Sequence, residues 1–239
     1  MSLTFSSYVT ALSTLTNIAS TDTSFQAILP DCIDYAEQRI YRELNLLSTV
    51  VRDASQALSP GSRNFTLPTA QGTFVVVNRI NAITPAGTAP DGGTRNALLP
   101  VSLDYLDNVW ASADATYTGL PTAFAMVTQT SIVVGPWPDQ AYTMEVVGTQ
   151  RPTPLSASNT VTFLSQNLPD LFLAASMVYF SGYMRNFGSQ ADDPKMAASW
   201  EQQTQTLMAS ANKEEFRKMF QGSAWSSLTQ SAQAQPQRN

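Results

Sequence analysis

The chain has 239 residues, of which 43% are hydrophobic and 13% charged, and its formal net charge is −5. This length is enough for one large domain or two small ones with a real core. This charged fraction is about half of the roughly 25% that is typical of soluble globular proteins. The acidic balance has the wrong sign for a protein that grips nucleic acid by neutralising phosphates.

Histidine is absent from the sequence, which excludes Ser-His-Asp and Cys-His nucleophilic sites and every metal site that needs imidazole. Cys32 is the single cysteine, so an intrachain disulfide and a cysteine-cluster zinc site are excluded as well. We expect Cys32 to be a small buried apolar side chain. The sequence therefore predicts no metal and no cofactor.

The sequence predicts neither a signal peptide nor a membrane span. The first residues lack a basic region followed by an apolar run, so no signal peptide is expected. The most apolar stretch, residues 168–183, is interrupted by Pro169 and Asp170, which favours a buried helix over a membrane span. We therefore expect a soluble protein that makes no membrane contact.

Residues 3–47 have the periodicity of two amphipathic helices. Apolar residues recur at spacings of three and four in two stripes: Phe5, Val9, Leu12, Leu15, Ile18, and then Ile33, Ala36, Ile40, Leu44, Leu47. Residues 20–24 form a break that also supplies an N-cap, and Pro30 predicts that the second helix begins or kinks there. Its polar face is predicted to carry Asp34, Glu37, Gln38, Arg42 and Glu43.

From residue 48 to 151 the apolar period changes to two, which is typical of strands. A short helix is predicted over residues 102–110, with Ser102 as its N-cap and Leu103, Leu106 and Val109 facing inward. The clearest alternation predicts three antiparallel strands that turn near residues 129–131 and 136–139. Their inward residues are Phe124, Met126, Ile132, Val134, Tyr142, Met144 and Val146.

Helical periodicity returns near Leu168 and ends near residues 187–188. A fourth helix is predicted over residues 194–220, with Met196, Trp200, Leu207 and Ala211 facing inward and a charged end formed by Lys213, Glu214, Glu215, Arg217 and Lys218. Residues 221–239 are polar apart from Trp225 and Leu228, so this tail is expected to be disordered or ordered by a partner.

The order of helix pair, β segment and helix pair predicts an α+β fold. Neither helix pair buries both of its faces alone, which favours one four-helix bundle formed by residues 1–47 and 152–220. Residues 48–151 are then an inserted antiparallel β-domain, and residues 221–239 an extended C-terminal tail.

Two groups of residues could carry chemistry. Residues 96–150 contain no Lys or Arg, and their carboxylates fit either a paired-carboxylate glycosidase site or an acidic surface: Asp104, Asp107, Asp114, Asp139 and Glu145. The nearby aromatic residues have acidic neighbours, which favours packing or an interface over single-strand binding: Tyr105, Trp110, Tyr117 and Trp137.

Three segments resemble the head-to-tail adaptor proteins of tailed phages. Residues 29–44 read LPDCIDYAEQRIYREL, similar to an early adaptor helix in which an aliphatic-Pro pair precedes an Ala-Glu-x-Arg-Ile-x-Arg-x-Leu run. Residues 119–121 (GLP) precede the strand and Pro-x-Pro-Asp turn of residues 132–139 (IVVGPWPD). Residues 151–156 (RPTPLS) and 167–171 (NLPDL) open the third helix. The order and spacing of these segments carry the resemblance.

The resemblance implies a structural, non-enzymatic virion protein, made in the host cytoplasm and located at the head–tail junction. It implies a homo-oligomeric ring of twelve copies, with the portal protein above, a tail or nozzle protein below, and passage of double-stranded DNA through the ring without specific binding. We hypothesise that acidic groups line this lumen. The alternatives are a head-completion protein or a tail-tube or nozzle subunit of the same virion, and then a virion-associated glycan hydrolase.

Two sets of residues are predicted to make the contacts of such an adaptor. A tryptophan in an otherwise polar tail is a plausible anchor for a groove on a partner, so portal docking is assigned to Phe220, Trp225 and Leu228. Ion pairs at helical spacing could lie at the surface or at a subunit contact, so the subunit interface is assigned to Glu37, Arg39, Arg42 and Glu43.

Overall fold

The computed structural model describes residues 2–184 and 194–222. The chain divides into two compact units, a helical unit formed by residues 1–47 and 164–239 and a β unit formed by residues 48–163. The sequence placed the second boundary after residue 151. The β unit continues beyond that point to residue 163, and its last strand pairs as far as Pro152, opposite Gly72.

In its described residues the helical unit contains four long helices and one short one: α1 (Phe5–Thr16), α2 (Thr23–Glu43), α4 (Phe163–Asn167), α5 (Pro169–Met184) and α6 (Pro194–Gly222). Helix α5 is central, because it packs against α1, α2 and α6. Asp22 caps α2 by accepting hydrogen bonds from the backbone N–H groups of Ser24 and Phe25, both at 2.9 Å. The helix therefore begins at Thr23, and Pro30 lies inside it rather than at its start.

Aromatic stacking joins the N-terminal helices to α5. The rings of Tyr8 and Phe172 stack with centroids 4.6 Å apart, and those of Phe25 and Phe180 with centroids 5.4 Å apart. Ser176 donates to the carbonyl of Phe172 at 2.6 Å, so its oxygen accepts from the Tyr8 hydroxyl, 2.5 Å away. The hydroxyls of Tyr8 and Ser176 thus both form hydrogen bonds in the core, where an unpaired hydroxyl would cost free energy.

The β unit contains ten strands and one helix: β1 (Val50–Ala57), β2 (Asn64–Thr66), β3 (Gly72–Thr84), β4 (Thr94–Ala97), β5 (Leu99–Pro100), α3 (Leu103–Val109), β6 (Thr118–Gly119), β7 (Ala123–Thr128), β8 (Ser131–Gly135), β9 (Trp137–Pro138) and β10 (Thr143–Pro152). They form a sheet of order β1-β10-β3-β4, a second of order β2-β8-β7-β5, and the pair β6-β9. The mixed α+β class is thereby confirmed, whereas the four-helix bundle stays a prediction.

Both four-stranded sheets contribute to one core. All but one of the predicted inward residues of the three alternating strands lie in it. The exception is Met126, which is 45% exposed because it lies near the hairpin end of β7. The three strands do not form one meander, since β10 leaves β7 and β8 to pair with β1 and β3 in the other sheet. Strands β5 and β7 pair in parallel, as do β6 and β9.

Helix α3 begins after Ser102, whose side chain accepts from the N–H of Tyr105 as an N-cap. Of its three predicted inward residues, Leu106 is fully buried, whereas Leu103 and Val109 are each 38% exposed. A helix of seven residues has one narrow contact stripe, and here Leu106 fills it against Ala123 and Ala125 of β7.

Candidate interaction site

A bidentate ion pair joins α2 to α6. The guanidinium of Arg39 donates from Nη1 to Oε2 of Glu201 at 2.6 Å and from Nη2 to Oε1 at 2.5 Å. Its Nε also donates to Glu43, one turn along α2, at 3.0 Å. The helical spacing predicts the Arg39–Glu43 pair, but Glu201 lies far away in sequence and no local signal identifies it. Arg39 therefore has its principal partner inside its own chain.

Both members of this pair are ionised. Hydrogen bonds from Arg39 lower the pKa of Glu201 to about 2, against an opposing effect of burial. The same hydrogen bonds raise the pKa of Arg39 above its ordinary value. Paired, charge-assisted hydrogen bonds of this type fix geometry as well as contributing energy. The contact thus links α2 to α6, both of which pack against α5.

Next to the ion pair is a surface groove of about 750 Å³, which we call the α2 groove. Tyr35 and Tyr179 form its aromatic wall, with ring centroids 5.1 Å apart. Gln38 donates to Asp34 at 2.5 Å and accepts from Arg42 at 2.7 Å. The lining residues are Asp31, Asp34, Tyr35, Gln38, Arg39, Arg42, Glu43, Tyr179 and Glu201. Four carboxylates against two guanidinium groups make the groove acidic.

The predicted position of Glu37 on the polar face of α2 is wrong, because its side chain is buried and only 3% exposed. Position 37 follows Ile33 by four residues, so both lie on the buried side of the helix. Burial raises the pKa of Tyr41, and the charge of Glu37 raises it further. Glu37 is thus an acidic side chain of the helical core, whereas Arg42 and Glu43 are exposed.

The last turns of α6 present aromatic residues to solvent. Phe216 is 71% exposed and Phe220, one turn later, is 49% exposed. The sequence predicted an interface role for Phe220 but missed Phe216, although the spacing of four that relates them was visible. Trp225 and Leu228, the other two residues assigned to portal docking, lie outside the described residues.

The buried face of α6 differs from the predicted one. It is formed by Thr204, Met208, Ala211 and Glu215, so only Ala211 was correctly predicted as fully inward; Met196, Trp200 and Leu207 are half-buried. Glu215 is 2% exposed rather than part of a solvated charged end. It accepts from the backbone N–H of Leu47 at 3.0 Å and from Lys218 at 2.7 Å, and these bonds offset the cost of its burial.

A buried arginine of the β unit contacts a strand carbonyl, a carboxylate and a tryptophan ring. Arg63 is 8% exposed and lies with its guanidinium 5.2 Å from the ring centroid of Trp137. It donates to the carbonyl of Val134 at 3.1 Å and forms an ion pair with Asp107 at 3.1 Å. Trp137 donates to the carbonyl of Trp110 at 3.1 Å. Trp110 and Trp137 therefore have packing roles, and the cation next to Trp137 is Arg63.

Most of the carboxylates considered for glycosidase chemistry have structural partners. Glu145 is fully buried, which corrects the acidic-surface interpretation at this position. It accepts from Asn81 at 2.7 Å and from Arg95 at 3.1 Å, and Arg52 lies 3.6 Å away. Asp107 pairs with Arg63. The remaining hydrogen bonds run from Ser112 to Asp114 at 2.6 Å and from Tyr142 to Asp139 at 2.8 Å.

Among the residues that the structure describes, no group of three or more acidic or sulfur-bearing side chains could hold a metal ion. Cys32 is buried and free, as the sequence predicts, and burial raises the pKa of its thiol to about 12. No helix within the described ranges is long and apolar enough to span a membrane.

Comparison with known proteins identifies one relationship. A family model described as SU10 adaptor protein matches residues 3–230, nearly the whole chain. A search of the curated proteins found no match. The matched region includes both the helical unit, with its groove and exposed aromatic residues, and the β unit.

Proposed function

Because the chain belongs to the SU10 adaptor protein family, a family of phage head-to-tail adaptors, we propose that it forms a ring of twelve copies that docks beneath the portal. The tail or nozzle protein attaches below, and the ring leaves a conduit for genome DNA. The family match over residues 3–230 is the observation that carries this proposal.

Family membership itself gives a coarser assignment. The chain is a structural protein of the phage virion, placed at the head–tail junction and interacting with portal and tail proteins. This assignment favours the adaptor over the other virion parts considered above, and it supports a structural role rather than catalysis.

The proposed subunit interface lies along α2. Arg42 and Glu43 are exposed there, and Arg39 is held in place by Glu201 with 16% of its side chain exposed. A buried Glu37 supports this surface from beneath rather than touching a neighbour. Exposed ion pairs add only tenths of a kcal/mol each, so these charges serve orientation between subunits more than affinity.

Portal docking is proposed for the C-terminal end of the chain, with Phe220, Trp225 and Leu228 as anchors. A large apolar ring that fills a groove is a common source of binding energy at an interface, and Phe220 is 49% exposed. Deleting residues 221–239 is expected to leave a folded protein that fails to join the portal. Incorporation of the truncated chain at the wild-type level would refute this assignment.

Mass measurement of the chain with and without the portal tests the proposed ring directly. We expect a twelvefold complex with the portal, since a heterologous contact that closes produces a ring. A complex of another stoichiometry, or no complex, would contradict the proposal. The net charge of −5 is consistent with a lumen that does not hold DNA, and lysine substitutions of lumen acids are then expected to slow genome ejection.

A further inference from the structure

We infer that the α2 groove of one copy receives the end of helix α6 from a second copy, an inference that rests on the proposed ring. The inserted element is the α6 ridge, which we define as Lys213, Phe216 and Arg217. Groove and ridge are different surfaces of one chain, so their contact is heterologous and propagates from copy to copy.

The net charge of the ridge is opposite to that of the groove. Lys213 and Arg217 follow each other by one turn on the solvent side of α6, with Phe216 beside them. All three side chains are exposed. Lys218 pairs instead with Glu214 and Glu215, and neither Lys213 nor Arg217 forms an ion pair with any described residue.

The groove offers acidic and aromatic groups that are complementary to the ridge. Its rim carries Asp31 and Asp34, which are exposed and form no ion pair within the described part of the chain. Its aromatic wall is formed by Tyr35 and Tyr179. Aromatic rings pack favourably against one another at interfaces, and opposite charges at a rim steer association and fix its register.

The ridge is short enough to lie within the groove. The groove follows α2 from Asp31 to Glu43, about 18 Å at a rise of 1.5 Å per residue. The ridge occupies little more than one helical turn, about 6 Å, and fits within that length. Phe220 lies one turn beyond it, next to the segment proposed for portal docking, and is not required for this contact.

The ridge cannot fill the groove of its own chain. Glu201 lines the groove and Phe216 lies on the same helix, so the two positions are about 22 Å apart along a rigid axis. A second copy is therefore the occupant that brings them together. The contact therefore lies between copies rather than within one, whatever the number of copies.

Photocrosslinking in assembled phage particles tests the identity of the occupant. Phe216 is replaced by photoreactive benzoyl-phenylalanine, which keeps an aromatic ring at the position, and crosslinked peptides are identified by mass spectrometry. Particles that contain isotopically light and heavy copies distinguish contacts between copies from contacts within one. We expect crosslinks from position 216 to the peptide containing residues 31–43 of another copy.

Other crosslinks would overturn the inference. Crosslinks to residues 223–239 of the chain itself, or to the portal protein, would assign the ridge to a different occupant. If the chain is present in particles but position 216 yields no crosslink between copies, the contact is wrong while the adaptor assignment stands. If the wild-type chain is missing from particles, both are wrong.

A charge exchange tests the energetics on the same particles. Asp34→Lys and Arg217→Glu should each lower incorporation into particles by about tenfold or more, whereas the double variant should recover to within about threefold of wild type, since the opposed charges are then paired again. The matched control combines Arg217→Glu with Asp170→Lys, an exposed acid outside the groove, and should not recover. Equal recovery in both double variants, or none in either, would refute the pairing.

Discussion

The Arg39–Glu201 pair predicts a measurable and pH-dependent share of the stability of the helical unit. Replacing Glu201 by Gln keeps the shape of the side chain but removes its charge and one acceptor for the guanidinium. Charge-assisted hydrogen bonds contribute about 1.5–3 kcal/mol. Here 33% of the Glu201 side chain is exposed, and Glu43 remains as a partner for Arg39. Solvent screening therefore reduces the expected loss in unfolding free energy to about 1–2 kcal/mol.

The pH dependence of this loss has a definite sign. The folded pKa of Glu201 is about 2, below its ordinary value of 4.5. The stabilisation from its ionised form is therefore fully present above 4.5 and is lost as the pH falls towards 2. The difference in unfolding free energy between wild type and Glu201→Gln should be constant near neutral pH and shrink below 4.5.

Urea unfolding followed by far-ultraviolet circular dichroism measures this difference, because most described helical residues belong to the helical unit. The matched control is Glu214→Gln, on the same helix but 57% exposed and paired with Lys218, where we expect about 0–0.5 kcal/mol. A double-mutant cycle with Arg39→Met isolates the coupling. Equal losses for Glu201→Gln and Glu214→Gln, or a difference that does not change in acid, would refute the reasoning.

Three further predictions concern the interiors of the two units. Arg63→Met should lower the unfolding free energy of the β unit by about 1–2 kcal/mol, because it removes the hydrogen bond to the carbonyl of Val134 and the cation beside Trp137, whereas Asp107 is 59% exposed and stays solvated; tryptophan fluorescence during urea unfolding measures this, and a neutral result would contradict it. Gly148→Ala should destabilise the same unit, since its Cβ would collide with the carbonyl oxygen of Val76, and an unchanged melting temperature would refute that contact. Cys32, with its thiol pKa raised to about 12 by burial, should resist alkylation until the protein unfolds; mass spectrometry of the native protein would contradict this if it detected rapid labelling.

Local sequence patterns predicted the start of a helix correctly where a capping side chain next to it determines that start. Ser102 caps α3 as its residue type and position predict, and the break before α2 supplies Asp22 as the cap. Both are side chain to backbone bonds within three residues, so the sequence contains all the information they need. The burial of Cys32 follows from its residue type, because a free cysteine usually behaves as a small apolar side chain.

The candidate site was only partly visible in the sequence. Arg39 and Glu43 are four residues apart, and their pair follows from helical geometry. The spacing of four between Phe216 and Phe220 places both on one side of the helix. The local sequence does not show, however, whether that side is exposed or buried. Nothing short of tertiary packing brings Glu201 to Arg39 or Tyr179 to Tyr35.

Composition alone determined which chemistries are closed to this protein, because a side chain that is missing from the sequence cannot act as a base or a ligand. Local periodicity determined where its helices and most of its strands lie, and motif order identified its family. Only the tertiary structure decided which charged residues are interior. Glu37, Glu145 and Glu215 are buried because partners or neighbours distant in sequence are brought to them by the fold, and the energy of a buried charge depends on those partners rather than on its own position along a helix or strand.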